Sequence, residues 1–496
     1  MNRFILFIAV VILVFACSKP AKPDAEIRID ATKISYTMRG GMGASWHALS
    51  REIPLENSKY KFPVREVGPR GSTFGGNPLA TEVGAWNQIE NHAAWLGLDF
   101  IRVEISQRMY EPDRRKFDWE NEEMQALYRI LDWCEQNQAD VFLQQMWGHV
   151  EWNSYPGVHP LISAPKNLDD FADGIATLIE HLHAKGYNCI KYFCMTNEPP
   201  GGPWGYWWEY GDAKGSINNA WKRLKEEFDA RKISIPISGP DWTSMPPFKE
   251  EKLVFAPYLG SFDIHSYDGV TASGETNLKR WAEWAHSQNK PFFMSEFGNM
   301  KLGFGDENPG PKSFEASLSN ASDFIRGIRA GVDGFNRWSF TNRGNLDGQW
   351  QLIQTFDRKT KQYLSEIKPE PEAYYGFGIL TRFMSKYSSS VSCSVNQSDS
   401  TLMSVALLSP KGDLSIFILN LKNEAQSVKL DLALFPEKPL NIYQVSKELV
   451  LKPGFELNSI GQFDLQSPKL LELPARSITT VSSYSLKNNE KGMIYQ

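Results

Sequence analysis

Short apolar runs alternate with longer amphipathic stretches along most of this chain, and no other feature constrains its fold more. The short runs are rich in β-branched and aromatic residues, and several of the longer ones end at glycine, as helices do. Eight runs predict strands, at 41–47, 99–105, 140–147, 190–198, 233–241, 262–268, 291–298 and 334–340. Helical patterns lie between them, including 121–137, 168–186, 218–232, 314–331 and a last one at 371–386. Eight strands alternating with eight helices predict an α/β fold, the (β/α)8 or TIM barrel.

The pattern changes at about residue 387. From there, short strand-like runs follow one another with Gly, Pro, Asn and Asp between them and no helical pattern. This spacing predicts an appended antiparallel β-sandwich domain over 387–486, followed by a tail over 487–496. The barrel domain is then 28–386, although the strand-like segment "EIRIDATKISYTM" near its start could pair with the sandwich through residues 28–38.

The first residues, "MNRFILFIAVVILVFAC", carry a basic start and an apolar run too short to span a bilayer, which predicts a signal peptide over 1–16. The end of this run resembles the bacterial lipobox, which implies cleavage before Cys17 and lipidation of that cysteine. A membrane anchor at Cys17 followed by Ser18 suggests an outer-membrane lipoprotein of a Gram-negative bacterium, periplasmic or at the cell surface. A plain signal peptide with an incidental cysteine is the alternative. Residues 17–27 are expected to be a flexible tether.

The net charge argues against nucleic acid as a partner, and the cysteine spacing argues against a metal site. The formal net charge is −5, or −6 once a leader with Arg3 is removed, which argues against nucleic acid. The four later cysteines match no metal motif, and most lie in or beside apolar runs, where a free cysteine packs as a small hydrophobe. The sequence therefore predicts no metal site and gives little support to a disulfide.

Polar and aromatic residues stand where the predicted barrel strands end. In TIM barrels the catalytic groups come from these carboxyl ends, whereas strand interiors carry branched apolar side chains. Each residue taken alone could be a capping or packing residue, but their convergence on one rim predicts a binding site. The candidates for contact with a substrate are Trp46, His47, Arg102, Trp147, His149, Asn197, His265, Tyr267 and Trp338.

Two carboxylates matter most among these rim residues. Glu198 ends the fourth strand and Glu296 the seventh, so they should face each other across the barrel mouth. Glycoside hydrolysis needs such a pair, one protonated to serve the leaving oxygen and one ionised to attack the sugar carbon. After Glu198 comes an aromatic cluster that could stack on sugar rings, unless the loop packs on itself. Its members are Trp204, Tyr206, Trp207, Trp208 and Tyr210.

Two short motifs resemble the signatures of the clan A glycoside hydrolases. "TNEP" at 196–199 and "SEFG" at 295–298 are similar to the strand-four and strand-seven segments of this retaining (β/α)8 group. "FIR" at 100–102, "HSY" at 265–267 and Trp338 resemble residues around the reaction subsite in families 5, 30 and 39. "GMGASWHALS" is similar to the opening of family 30 proteins, and the trailing sandwich suits families 30 and 39.

The resemblance implies a role for each matching residue. Glu198 would be the general acid/base and Glu296 the nucleophile of a retaining mechanism acting on β-glycosidic bonds. Asn197 would bind the sugar 2-hydroxyl, while Arg102 and Tyr267 would hold Glu296 ionised. Glu198, with no strong cation beside it, would have a raised pKa. No metal or organic cofactor is implied.

A non-catalytic glycan-binding lipoprotein on the same scaffold is the alternative function, because it would need the aromatic residues but not both carboxylates. Among enzymes, an endo-acting glycanase and an exo-acting glycosidase differ in having a groove or a pocket. The long segment 51–81 could wall one end of the site, which favours a pocket or a blocked cleft. Neither the sugar, the linkage nor the oligomeric state follows from the sequence.

Substituting the lipobox cysteine tests the predicted location. Cys17→Ala should block lipidation and maturation, as globomycin should, because acylation needs the Cys17 thiol. The measurement is the membrane-bound fraction of the expressed chain, with Cys393→Ala as a control that should remain membrane-bound. Unchanged membrane association of Cys17→Ala would contradict the lipobox hypothesis.

Overall fold

Two large sheets organise the chain in the computed structural model, a parallel barrel and a C-terminal antiparallel sheet. The structure describes residues 22–50, 68–72, 75, 77–147, 150–160, 163–199, 216–303, 308–342, 349–397, 400–433, 438–464 and 470–484. Before and around the barrel lie β1 (Ala25–Thr37), β2 (Met42–Ala44), β3 (Trp46–His47), β4 (Phe100–Ser106), β5 (Asp140–Trp147), β6 (Ile190–Cys194), β7 (Ile237–Trp242), β8 (Ser261–Ser266), β9 (Phe292–Phe297) and β10 (Gly334–Arg337).

The barrel is closed by a bent first strand. β2 pairs with β10 and β3 pairs with β4, and these two short pieces of one strand flank Ser45. The other neighbours follow chain order from β4 to β10, all parallel, so the barrel has eight strand positions. A Cβ at Gly43 would lie 2.0 Å from the Phe100 carbonyl oxygen, so the close approach of β2 to β4 requires glycine. The predicted TIM barrel and the positions of its eight strands are confirmed.

Helices cover the outside of the barrel, and one short helix, Lys447–Val450, belongs to the C-terminal sheet region. Those of the described chain are α1 (Val83–Leu96), α2 (Gln107–Tyr110), α3 (Glu122–Gln136), α4 (Leu168–Ala184), α5 (Ile217–Ala230), α6 (Ala272–Ser287), α7 (Phe314–Ala330), α8 (Pro371–Thr381) and α9 (Lys447–Val450). Asn121, Asn167, Thr271 and Ser313 cap helix starts through their side chains. The helices α1 and α7 end at glycines in the left-handed region. The structure describes no helix long and apolar enough to span a membrane.

The prediction of eight helices was wrong at one connection. Between β7 and β8, where every residue is described, the chain forms two 3-10 turns, Glu250–Lys252 and Ala256–Tyr258, and no α-helix. Pro246, Pro247 and Pro257 explain this, because each proline lacks the amide hydrogen that a continuous helix needs.

A hairpin between the last barrel strand and α8 was not predicted. It consists of β11 (Ile353–Asp357) and β12 (Gln362–Pro369), paired antiparallel, and β12 packs on α1. Only Ile367 of β12 is buried, so the strand lacks the apolar alternation by which strands are recognised.

The barrel interior has an aromatic floor and a polar upper layer. Phe100, Phe142 and Phe293 form the floor, with the Phe100 and Phe293 ring centroids 5.0 Å apart. Side chains two residues further along a strand point to the same side, so Arg102 follows Phe100 on β4. The same step on β5 places Gln144 above Phe142. Apolar packing thus supports a buried polar layer at the carboxyl ends of the strands.

The C-terminal strands belong to one nine-stranded sheet that folds back on itself as a β-sandwich, since Gln444 near one edge donates to the Glu472 carbonyl oxygen at the other. They are β13 (Ser389–Val395), β14 (Leu402–Leu408), β15 (Leu414–Asn420), β16 (Gln426–Leu432), β17 (Leu440–Ser446), β18 (Gly461–Phe463), β19 (Leu471–Leu473) and β20 (Ser477–Ser482). The strand β1 joins this sheet between β13 and β16, the alternative that the sequence left open. A flexible tether was predicted over 17–27. Since β1 begins at Ala25, residues 25–27 lie in a strand, and the prediction was wrong for these three residues. The alternating apolar residues of "AEIRI" explain this, because Ala25, Ile27 and Ile29 are buried in the sandwich core. The four cysteines in the described chain are free.

One layer of the sandwich is buried on both faces, because it also packs on the barrel helices. Phe417 of β15 meets Phe324 of α7 edge to face, with ring centroids 5.2 Å apart. The ring centroid of Phe383, just after α8, lies 4.3 Å from that of Tyr443 of β17. The neighbours of Phe417 along β15, Ile416 and Ile418, instead face the sandwich core. The sandwich therefore shares the barrel's apolar core through this face of the sheet, while its opposite face packs into a separate core.

Truncating Phe417 tests this shared core. Phe417→Ala should lower the free energy of unfolding by about 3–5 kcal/mol, because it opens a cavity between α7 and the sheet. Ile460→Ala, at a 63% exposed apolar residue, is the control and should change stability by less than about 0.5 kcal/mol. Denaturant unfolding of both variants gives the comparison. Equal stability of the two would contradict a shared core.

Candidate active site

Arg102 lies at the centre of the polar layer and contacts residues from four strand positions. Its guanidinium donates to Glu104 at 2.6 Å and to Asn197 Oδ1 at 2.9 Å, and also to Gln144. It pairs with Glu296 Oε2 at 2.5 Å. The Arg102 side chain is fully buried, so its charge is balanced entirely by these neighbours. Burial alone would lower the pKa of Arg102, but Glu296 and Glu104 raise it.

Glu296 ends β9 between a cation and a phenol. Its Oε1 accepts a hydrogen bond from Tyr267, and its Oε2 faces Arg102. The Tyr267 ring is held in turn by Trp350, with edge-to-face centroids 5.4 Å apart. Both carboxylate oxygens of Glu296 are therefore fixed in direction, and its negative charge is paired.

Glu198 follows β6 in a backbone conformation that is rare for a residue with a side chain. Its φ is +47°, and its N–H donates to Asp241 Oδ2 at 3.2 Å. Its Oε1 lies 2.9 Å from His265 Nδ1. One oxygen of Glu198, one oxygen of Glu296 and a ring nitrogen of His265 all lie within 4.8 Å of one another. The two carboxylates predicted to face each other do meet at the barrel mouth.

Burial raises the pKa of Glu198, and the charges of Glu296 and Asp241 raise it further, against the opposing effect of His265. This differs from the expected cause, which was the lack of a cation nearby. His265 itself is such a cation when protonated. Burial would lower the pKa of His265, but the facing carboxylates of Glu296 and Asp241 raise it well above its usual value.

A second pair of carboxyl groups lies beneath the first. Asp263 accepts hydrogen bonds from Ser238 at 3.0 Å and from Ser295 at 2.9 Å, and one of its oxygens lies within 4.8 Å of one of Asp241. Burial and the charge of Asp241 raise the pKa of Asp263 well above the ordinary range. Burial acts in the same direction on Asp241, yet His265 and Arg102 lower its pKa. Asp263 is therefore the neutral member of this pair.

The charges of the cluster favour a protonated Glu198. Arg102 and protonated His265 face three carboxylates, Glu104, Glu296 and Asp241, which leaves one net negative charge. Ionising Glu198 adds another negative charge to a buried site without adding a cation. In a region of low dielectric such an unbalanced charge is unfavourable.

The structure groups five of the predicted substrate-contact residues with the two glutamates. Asn197 and Arg102 are hydrogen-bonded, His265 and Tyr267 touch the carboxylates, and the Arg102 guanidinium lies 5.8 Å from the Trp338 ring centroid.

The prediction for Trp46 was wrong. Its ring packs on Trp86 of α1, Trp133 of α3 and Phe340, with centroids 5.1 to 6.3 Å away, in the layer between barrel and helices. Neighbouring strand residues point to opposite faces, so Trp46 and His47 could not both face the mouth. His47 is buried at the end of β3, where its ring lies against Gly75.

Several predicted residues lie outside the described part of the chain. These are the Trp147 side chain and the residues His149, Trp204, Trp207 and Cys17, together with most of the segment 51–81. The roles proposed for them stay predictions.

Sequence reasoning placed Asp241 at a strand end without a role, and it missed three buried polar residues, Glu104, Gln144 and Asp263. Glu104 and Asp263 show a signal that could have found them, a polar residue two positions from another site residue on an apolar strand. Glu104 follows Arg102 in this way, and Asp263 precedes His265. Gln144 links the network, since its amide donates to Asp241 at 2.8 Å and its oxygen accepts from Arg102.

Comparison with known proteins gives one family match. The model of the family described as Cellulase, glycosyl hydrolase family 5, matches residues 61–320. No curated protein matches the sequence.

Solved structures of the same fold include glycoside hydrolases of other families. A family 30 endoxylanase from Clostridium papyrosolvens shares 11% identity with a TM-score of 0.63, over 92% of this chain and 99% of that one. An endo-β1,6-glucanase shares 14% identity with a TM-score of 0.60, over 94% and 95% of the two chains. A family 39 β-xylosidase from Caulobacter crescentus shares 12% with a TM-score of 0.57, over 92% and 99%. These similarities show the fold, including the sandwich.

The raised pKa of Glu198 predicts a pH-dependent gain in stability for Glu198→Gln. A carboxyl whose pKa is higher in the folded state loses stability as pH rises from its unfolded pKa through its folded pKa. The neutral amide lacks this loss, so the variant should gain free energy of unfolding relative to wild type at pH 8, and less at pH 4. Denaturant unfolding at both pH values measures it, with exposed Glu250→Gln as the control. If the variant gains the same free energy of unfolding at both pH values, the raised pKa of Glu198 is contradicted.

Proposed function

Because this chain belongs to the cellulase family, glycosyl hydrolase family 5, we propose that it is a retaining glycosidase that cleaves β-glycosidic bonds in an oligo- or polysaccharide. The observation that carries the proposal is the pair Glu198 and Glu296, with one carboxylate oxygen of each within 4.8 Å of the other at the barrel mouth. Retaining enzymes hold their two carboxyl groups about 5–5.5 Å apart, whereas inverting enzymes need about 6.5–9.5 Å to admit a water. The separation supports retention.

Glu296 is the nucleophile in this proposal. Arg102 pairs with one of its carboxylate oxygens and Tyr267 donates to the other, so they fix its direction. One of its oxygens attacks the anomeric carbon while the bond from that carbon to the leaving oxygen breaks. A covalent glycosyl-enzyme results.

Glu198 is the general acid in the first step and the general base in the second. Its proton goes to the leaving oxygen, and in the second step its carboxylate takes a proton from the attacking water. The neighbouring charges support this change of role. Burial keeps the pKa of Glu198 raised throughout, but the contribution of the Glu296 charge disappears once Glu296 is esterified. The pKa of Glu198 therefore falls when it must act as a base.

The substrate is proposed only as a class. The structural neighbours are described as an endoxylanase, an endo-β1,6-glucanase and a β-xylosidase, and they support a β-linked glycan of glucose or xylose type. A panel of β-linked oligosaccharides, with product lengths followed over time, would identify the linkage and separate endo from exo action. We further propose that the chain acts in the cell envelope, anchored through Cys17.

Separate substitution of the two glutamates tests the mechanism. Glu198→Ala should lower kcat/KM by about 10²–10⁴-fold on substrates with poor leaving groups, and far less on activated aryl glycosides. Azide should occupy the vacated space and restore turnover, with a β-glycosyl azide as product. Glu296→Ala cannot form the glycosyl-enzyme, so azide should give only the α-product. Product stereochemistry by NMR distinguishes these cases.

Glu111→Ala is a matched control, because Glu111 is buried but hydrogen-bonded to Gln107 and the Arg115 amide, away from the pair. Azide should leave its rate unchanged. Near wild-type rates for both Glu198→Ala and Glu296→Ala would overturn the two-carboxylate mechanism.

A further inference from the structure

Asp241 is a buried carboxylate in the site that the two-glutamate mechanism does not use. We propose that Asp241 is a positioning residue for Glu198, which anchors the Glu198 backbone and reserves the Nδ1 atom of His265 for the Glu198 carboxyl group. This inference rests on the proposed function of Glu198 as acid/base. Asp241 itself touches neither the reacting bond nor Glu296.

Both oxygens of Asp241 accept hydrogen bonds from site residues. Oδ1 lies 2.8 Å from His265 Nε2, and Oδ2 accepts from the Glu198 amide at 3.2 Å and from Gln144 Nε2 at 2.8 Å. The side chain is fully buried, so no solvent competes for these bonds. An asparagine at this position has only one accepting oxygen. It could accept either from His265 or from the Glu198 and Gln144 amides, and its NH₂ group would face the donors on the other side.

The backbone geometry gives Asp241 an anchoring role. Glu198 and Asp241 both adopt left-handed φ angles, +47° and +59°, at the ends of adjacent strands β6 and β7. This conformation is unfavourable by roughly 1–3 kcal/mol for a residue with a side chain, and it persists only where surrounding contacts impose it. The bond from the Glu198 amide to Asp241 is such a contact, and it points the Glu198 side chain toward the mouth.

The tautomer of His265 follows from the same contact. A carboxylate at Nε2 requires a hydrogen on Nε2 whether the ring is charged or neutral. The state of Nδ1 then depends on the ring charge alone. A charged ring donates from Nδ1 to Glu198 Oε1, and a neutral ring accepts there from protonated Glu198, so their hydrogen bond persists in both states of the ring.

The charged groups around His265 favour its interaction with Glu198. His265 Nδ1 is 2.9 Å from Glu198 but 3.6 Å from Glu296, whose charge is already paired with Arg102 and Tyr267. On the Nε2 side, Asp263 lies behind Asp241 and is hydrogen-bonded to two serines. These groups come from β4, β6, β7, β8 and β9 and the residues that follow them.

Leaving-group dependence in Asp241→Asn tests this role. The variant should lower kcat/KM by about 10–100-fold on poor leaving groups, and by less than about threefold on activated aryl glycosides, because only the former need a well-placed proton. In a Glu198→Ala background, Asp241→Asn should not reduce the azide-rescued rate further, since its effect passes through Glu198. The pKa of His265, followed by NMR of its ring nitrogens, should fall by about one unit or more in the variant.

Asp333→Asn is the matched control. Asp333 is also a fully buried carboxylate bonded to a histidine, His286 Nε2 at 2.7 Å, but it precedes β10 at the opposite end of the barrel. The Asp333→Asn variant should lower the free energy of unfolding without changing how kcat/KM depends on the leaving group. An equal loss on good and poor leaving groups in Asp241→Asn, or an additional loss in the Glu198→Ala background, would overturn the assignment.

The wild-type chain gives a measurement that does not require Asp241→Asn to fold. The Nε2 signal of His265 should show a bound hydrogen over the whole range in which the chain is folded, and a neutral ring protonated on Nδ1 would overturn the proposal. Failure of azide to rescue Glu198→Ala alone would instead contradict the proposed function. The two hypotheses therefore fail on different results.

Discussion

The buried ion pair between Arg102 and Glu296 is the interaction on which the rest of the site depends. A guanidinium without solvent at the centre of a barrel is tolerated only when carboxylates and carbonyl oxygens satisfy it. Glu104, Gln144 and Asn197 complete that set. Through these contacts, one side chain fixes the relative positions of residues from β4, β5, β6 and β9. The carboxylate pair at the mouth inherits its spacing from this network.

The network also explains why the site is supported from below by apolar packing. Phe100, Phe142 and Phe293 form a buried apolar cluster beneath Arg102, so the polar layer lies in the upper half of the barrel. Electrostatic interactions there are stronger than in water, which benefits paired groups and penalises unpaired ones. Burial there raises the pKa values of Glu198 and Asp263, whereas the pKa of His265, which burial would lower, is raised by the carboxylates that face it.

Much of the fold could be predicted because its dominant signals are local. Each barrel strand is a buried apolar run, and parallel strands bring their carboxyl ends to one rim, so Glu198 and Glu296 could be paired across 98 positions of sequence. Trp46 was misplaced because the alternation of strand faces was not applied at the rim. The connection between β7 and β8 and the hairpin β11–β12 lack a clear period. The contact of Gln144 with Asp241 depends on register between strands, which no single strand's pattern encodes.

The position of β1 has a consequence for the order in which this protein can be completed. Ile27 pairs with Val395 on one side and with Leu430 on the other, so the first strand of the described chain has partners that are synthesised almost four hundred residues later. Contacts this distant in sequence form slowly, and until then β1 exposes two unpaired edges. A nascent chain that has already closed its barrel is still unfinished at its N-terminus. The synthesis of β13 and β16 therefore determines when β1 is protected from aggregation and proteases.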